Sequence, residues 1–221
     1  MEHIKKNIEH IMSQIAGSDT RLLAVTKTRS VEEINYAIQC GVRHIGENRV
    51  QELMEKYDHL ELEGVSVHLI GQLQSNKVKY IIDKVDLIHS VDSLKLAYEI
   101  SKRAVAINKI QEILVEINVG DENSKGGVSY DDALPLIREI ALLPGVHICG
   151  LMCIPPRAIN EHDNMKYFLK MKDFSVDIMA KKIDNISMDI LSMGMSGDYE
   201  DAIAAGSSYI RVGRGIFGPR N

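Results

Sequence analysis

Apolar positions recur along the chain in two alternating rhythms. Ile4, Ile8, Ile11, Met12 and Ile15 share one face at helical spacing, and Gly17-Ser18-Asp19 closes that helix. Leu22 to Val25 reads as a short apolar strand. A helix follows from Ser30, with Glu33 three residues on as its capping-box partner, and Gly41 ends it. The same strand-then-helix order predicts His44 to Gly46 with Asn48 to Tyr57, Val65 to Gly71 with Ser75 to Asp83, and Val85 to His89 with Ser93 to Ala106. Ile113 to Val119 is the next strand. Its helix begins near Asp132, because Pro135 is best tolerated in a first turn. Val146 to Met152 is a strand before a long helix from Glu161 into the 180s. Ile190 to Ser192, a helix from Gly197 to Ala205, and Tyr209 to Val212 complete the pattern.

Alternation of this kind means a parallel sheet covered by helices. About eight β/α units predict an α/β fold, a single (β/α)8 barrel with an extra N-terminal helix over about residues 2–16. An open doubly wound sheet is the structural alternative. A length of 221 residues suits one domain over residues 1–221 and needs no covalent staples.

Composition removes several function classes. Lys plus Arg is 26 against 31 Asp plus Glu, a net charge of −5, which argues against a nucleic-acid surface. No apolar run reaches the roughly 18 residues of a membrane span, and the first residues carry no apolar signal core, so a cytoplasmic protein without a membrane role is expected. Cys149 and Cys153 sit four residues apart in one predicted strand. That is roughly 13 Å, beyond the about 7 Å a disulfide tolerates, so reduced, buried thiols are expected.

Side chains on a strand alternate between faces, which makes polar outliers informative. Leu23, Val25 and Lys27 share a face, as do Leu114, Glu116 and Asn118, and as do Tyr209, Arg211 and Gly213. With the β-branched faces turned to the helices, Lys27, Glu116, Asn118 and Arg211 point into the barrel. Three of them lie at the strand ends where barrel active sites are built. Two glycine-rich turns, Ser192 to Gly197 and Arg211 to Gly215, follow the last two strands, where barrels commonly cradle phosphate. A phosphate cup opposite an inward lysine suggests a Schiff base with a phosphorylated carbonyl compound, either a sugar phosphate or pyridoxal phosphate.

The stretches Ala24-Val25-Thr26-Lys27-Thr28, Gly46 to Glu52, His68 to Lys77, Asp121 to Gly127, Gly150-Leu151-Met152, Leu191 to Ser196 and Ile216-Phe217-Gly218 together resemble the pyridoxal phosphate homeostasis protein family, itself similar to the barrel domain of alanine racemase. The resemblance runs from Leu22 to Phe217. It implies that pyridoxal 5′-phosphate (PLP) is held on Lys27, with a role in vitamin B6 balance, no efficient turnover of its own, and transient contact with PLP-dependent enzymes. By the same resemblance Ser192, Met193, Gly194 and Ser196 match one phosphate-side loop, and Gly213 and Arg214 the other. Arg211 matches the arginine near the ring nitrogen, and Asn48 and Asn76 match polar residues of the cofactor mouth. Many family members carry Gly-Thr where this chain has Gly213-Arg214, so the threonine hydroxyl is absent here.

Two other readings compete. An amino-acid racemase would use the same lysine but needs a second base, for which Tyr199 and Tyr209 stand nearest by position. A metal centre is suggested by His44, His68 and His89 on successive strands. They open and close those strands at different depths, and no His-x-His or HExxH spacing is present.

Overall fold

In the computed structural model, which describes residues 1–120, 122 and 126–219, eight parallel strands close on themselves in chain order. They are β1 (Arg21–Val25), β2 (His44–Glu47), β3 (Ser66–Leu69), β4 (Leu87–Val91), β5 (Gln111–Ile117), β6 (Val146–Cys153), β7 (Ile186–Met195) and β8 (Tyr209–Val212). Closure pairs β1 with β8, placing Leu23 beside Arg211. The helices α1 (Glu2–Ile15), α2 (Val31–Gln39), α3 (Val50–Lys56), α4 (Leu94–Ala106), α5 (Tyr130–Ile140), α6 (Met165–Met179), α7 (Tyr199–Ala204) and α8 (Arg214–Phe217) cover the sheet. This is the (β/α)8 barrel that the alternation predicts.

The period-two pattern builds two cores. Leu22, Ala24, Ile113, Val115, Ile210 and Val212 face outward into the layer shared with the helices. Leu23, Val25, Leu114, Met152 and Tyr209 fill the barrel itself. Ile4, Ile8, Ile11 and Ile15 bury the apolar stripe of α1. The Asn7 side-chain amide donates to the carbonyl of Ile216 at 2.9 Å, so α1 braces α8 beneath the last glycine-rich turn. Met12, read with that stripe, is largely exposed instead.

Several boundaries differ from the sequence reading. Ser75–Tyr80 is 3-10 helix rather than a longer α-helix. The helix predicted from Asn48 begins at Val50 and ends in a 3-10 turn, Tyr57–His59. The Ser129 hydroxyl caps the backbone N–H of Asp132 at 3.2 Å, so α5 starts earlier than Pro135 suggests and the proline lies in its second turn. The helix read from Glu161 begins at Met165, and β7 spans ten residues where only its apolar centre was read as strand. The cysteines carry no disulfide, and burial pushes the thiols of Cys149 and Cys153 up to about 12. Asp121 and residues 123–125 of the Asp121-to-Gly127 stretch lie outside the described residues.

Candidate cofactor site

A cavity of about 540 Å³ opens at the C-terminal ends of the strands. Among its lining residues are Lys27, Asn48, Ser196, Arg211, Gly213 and Arg214. Its size falls within the range of small-molecule sites, roughly 300–1,000 Å³.

Lys27 follows β1 by two residues, in a turn fixed by a buried charge cluster. The Thr26 hydroxyl donates to Glu47 at 2.8 Å, and the backbone N–H of Thr28 donates to Glu52. The Lys56 ammonium bridges Glu47 at 3.1 Å and Glu52 at 2.6 Å and also reaches the Thr26 carbonyl at 3.1 Å. Burial raises the Glu47 carboxyl, and Lys56 and Thr26 oppose that rise. Thr28 adopts φ 61°, so the lysine turn is bent through a conformation that its anchors must hold. Glu47 and Glu52 both stand in the Gly46-to-Glu52 stretch, but no spacing in it marks them as anchors of the lysine turn.

Arg211 is buried at 4% exposure. Its Nη1 donates to the Ser192 carbonyl and hydroxyl, both at 2.6 Å, and its Nη2 donates to the Cys153 carbonyl at 2.8 Å. A guanidinium has five N–H donors. Three are committed, and two have no acceptor among the described residues while the residue lines the cavity.

The glycine-rich end of β7 is shaped by a bulge. Ser192 pairs with Tyr209 but Met195 with Arg211, so β7 spends an extra residue. Gly194 takes φ 88°, and a Cβ there would stand 2.4 Å from the Ala202 side chain. Only glycine fits. The bulge turns Ser196 toward the cavity, and its hydroxyl accepts from the backbone N–H of Gly215 at 3.2 Å, joining the two glycine-rich turns.

The predicted site residues therefore separate into two layers. Lys27, Asn48, Ser196, Arg211, Gly213 and Arg214 meet at the cavity. Ser192 and Met193 are fully buried beneath it, and with Gly194 they shape the loop without lining the cavity. Asn76 is exposed and outside the lining. Glu116 is buried as the alternation required, and burial together with Asp92 pushes its carboxyl up to about 7 against the pull of Arg211. Asn118 instead braces its own loop, exchanging hydrogen bonds with the backbone of Glu122 at 2.9 and 3.2 Å.

The histidines of successive strands meet inside the barrel. His44, His68 and His89 are in contact, with ring centroids 5.6 and 5.1 Å apart, despite their different positions along the strands. Among the described residues no group of three or more His, Cys, Asp or Glu is arranged to hold a metal ion. Tyr209 lies in the same cluster, with its hydroxyl accepting from Arg21 at 2.9 Å, and neither it nor Tyr199 lines the cavity.

The residues present fit an anionic aldehyde. Arg211, with two guanidinium N–H groups uncommitted among the described residues, and Lys27 line the cavity together, and the Asn48 side-chain oxygen is buried without a hydrogen-bond partner. A closed parallel barrel with a lysine after its first strand and an arginine on its last defines a class, the barrel of the alanine racemase type. The family model for the alanine racemase N-terminal domain matches residues 1–221. An alanine racemase from Clostridium difficile 630 superposes with TM-score 0.80 at 17% identity, over 99% of this chain and 57% of its own, which shows the shared fold.

Closer relatives narrow the class. A protein of Aquifex aeolicus (strain VF5) named pyridoxal phosphate homeostasis protein is 43% identical over 200 residues, 90% of this chain and 87% of its own length. The structure of PipY from Synechococcus elongatus PCC7942 with PLP bound matches with TM-score 0.89 and 31% identity, over 97% of this chain and 100% of that one. The chain belongs to the pyridoxal phosphate homeostasis protein family. None of the helices among the described residues is long and apolar enough to cross a membrane.

Proposed function

We propose that this chain binds PLP at the mouth of its barrel as a Schiff base on Lys27, and keeps this reactive aldehyde available without efficient turnover of its own. One observation carries the reading: Lys27 and Arg211 line one cavity together with the glycine-rich ends of β7 and β8. The name of the Aquifex relative and the PLP bound to PipY support it.

Each residue has a stated task. The Lys27 amine would hold the aldehyde through its carbonyl carbon, with the carbonyl oxygen released as water. Ser196, Gly213 and Arg214 hold the phosphate through hydroxyl, backbone and guanidinium donors. Ser192, Met193 and Gly194 support that loop from below. Asn48 directs a polar group at the mouth, and Asn76 stands outside the contact set.

Bound PLP supplies an electrophilic carbonyl and an electron-withdrawing ring. Arg211 offers the ring nitrogen a hydrogen bond but no transferable proton, because guanidinium stays charged. The withdrawal that labilises an amino-acid α-proton is thereby weakened. Racemization also requires bases on both faces of the substrate, and among the described residues no tyrosine lines the cavity. Contacts with PLP-dependent enzymes would then be transient deliveries, made in the cytoplasm.

An absorbance titration with PLP and with pyridoxal tests the binding. Charge-assisted hydrogen bonds contribute about 1.5–3 kcal/mol each, so PLP is expected to bind at least tenfold more tightly. Equal affinities contradict a phosphate cup here. In the same preparation, deuterium exchange at the α-carbon of L- and D-amino acids is expected to stay far below roughly 1 s⁻¹, the slow end of typical enzymes. Exchange at that rate or faster makes the protein a racemase.

A further inference from the structure

Below the cavity, polar side chains cross the barrel in an unbroken line. Arg211 donates to the Ser192 hydroxyl at 2.6 Å. The Ser192 oxygen lies 2.9 Å from Nδ1 of His89, and Nε2 of His89 lies 2.8 Å from Nδ1 of His68. Nε2 of His68 lies 2.9 Å from the Ser66 hydroxyl, which donates to Asp86 at 3.1 Å. His68, His89 and Ser192 are 1%, 0% and 0% exposed, and the line ends at the exposed carboxylate of Asp86 on the opposite rim.

The Asp86 end, which can only accept, determines the protons along the line. Ser66 gives its one proton to Asp86, so it accepts from His68, which is protonated on Nε2 and bare on Nδ1. His89 must then donate from Nε2 and accept on Nδ1 from Ser192. Ser192 accepts from Arg211, which has donors only. Burial keeps both imidazoles neutral, lowering His68 to about 3 and His89 well below its ordinary value. Reversing the line would turn the Ser66 proton away from Asp86 and give up that hydrogen bond. The line is a fixed, polarised support.

We infer that His89 and His68 are positioning residues for the bound cofactor: with Ser192, Ser66 and Asp86 they form a hydrogen-bond chain with a single proton arrangement, which holds the Arg211 guanidinium where its two remaining N–H groups meet the ring. The inference rests on the PLP reading above. Chains of this kind strengthen cooperatively in a low-dielectric interior, so the middle of the line matters to its end.

Nitrogen-15 NMR of the histidine side chains, without added cofactor, tests the arrangement in the wild-type chain. Both His68 and His89 are expected as neutral Nε2–H tautomers. An Nδ1–H tautomer or an imidazolium at either residue overturns the inference. Next, PLP affinity and the absorbance of the bound aldehyde are compared in His89→Leu and His89→Asn. The asparagine oxygen stands near the place of Nδ1 and still accepts from Ser192, whereas leucine accepts nothing. His89→Leu is expected to bind PLP about tenfold more weakly, about 1.4 kcal/mol, with a shifted absorption band, and His89→Asn to recover most of both. A folded His89→Leu with wild-type affinity and spectrum overturns the positioning role. The tautomers decide even where that variant does not fold. Wild-type protein that takes up no PLP sinks the proposed function instead, a failure kept separate because the tautomers are read without it.

Discussion

At the scale of single residues, the buried titratable groups pull stability in opposite directions with pH. His68 is neutral in the fold, with its pKa lowered to about 3. The unfolded chain therefore binds an extra proton below about pH 6.5, and this contribution to stability is lost as pH falls toward 3. His89 acts in the same direction. Glu116 is the reverse: raised to about 7, it holds its proton in the fold while the unfolded chain releases it. Its contribution is fully present below about pH 4.5 and is lost as pH rises through about 7. Glu116→Gln is thus expected to gain stability relative to wild type between about pH 5 and about pH 8, by on the order of 1–3 kcal/mol. Urea unfolding at both pH values measures this. A difference between the two proteins that is constant with pH contradicts the placement of Glu116 beneath the cavity.

At the scale of elements, alternation was a reliable guide wherever a strand has one inward and one outward face. Tyr209 and Arg211 point inward and Ile210 and Val212 outward, as read from the sequence. Lys27 and Arg211 were legible as cavity residues for the same reason. The histidine line was not, because it depends on register. Gly46, not His44, sits beside His68, and Leu87, not His89, sits beside His68 on the other side. Strand tilt and the length of the rings bridge those offsets, and no spacing in the sequence records either. Nor does composition announce the bulge at Gly194. Gly194→Ala is expected to cost about 1–2 kcal/mol for the left-handed backbone alone, and more from the contact with Ala202. It should also weaken PLP binding by turning Ser196 away. Denaturation together with the PLP titration checks both, and a variant with unchanged stability and affinity would mean that the bulge does not shape the mouth.

At the scale of the whole molecule, the barrel serves as a rigid frame with chemistry at one end and support running to the other. The N-terminal helix braces α8, the Glu47–Lys56–Glu52 cluster holds the lysine turn, and the buried line through His89 reaches Arg211. All three converge on the cavity between β1 and β8. The fold is that of the alanine racemase N-terminal domain, and PipY shares it across its length.

The central claim is that Lys27 carries the cofactor. Reduction of the PLP-loaded protein with borohydride, followed by peptide mapping, tests it most directly, because reduction fixes the imine where it stands. The phosphopyridoxyl label is expected on the peptide containing Lys27, and Lys27→Ala is expected to lose it. Label found mainly on Lys77 or Lys125, with Lys27 unmodified, would contradict the account.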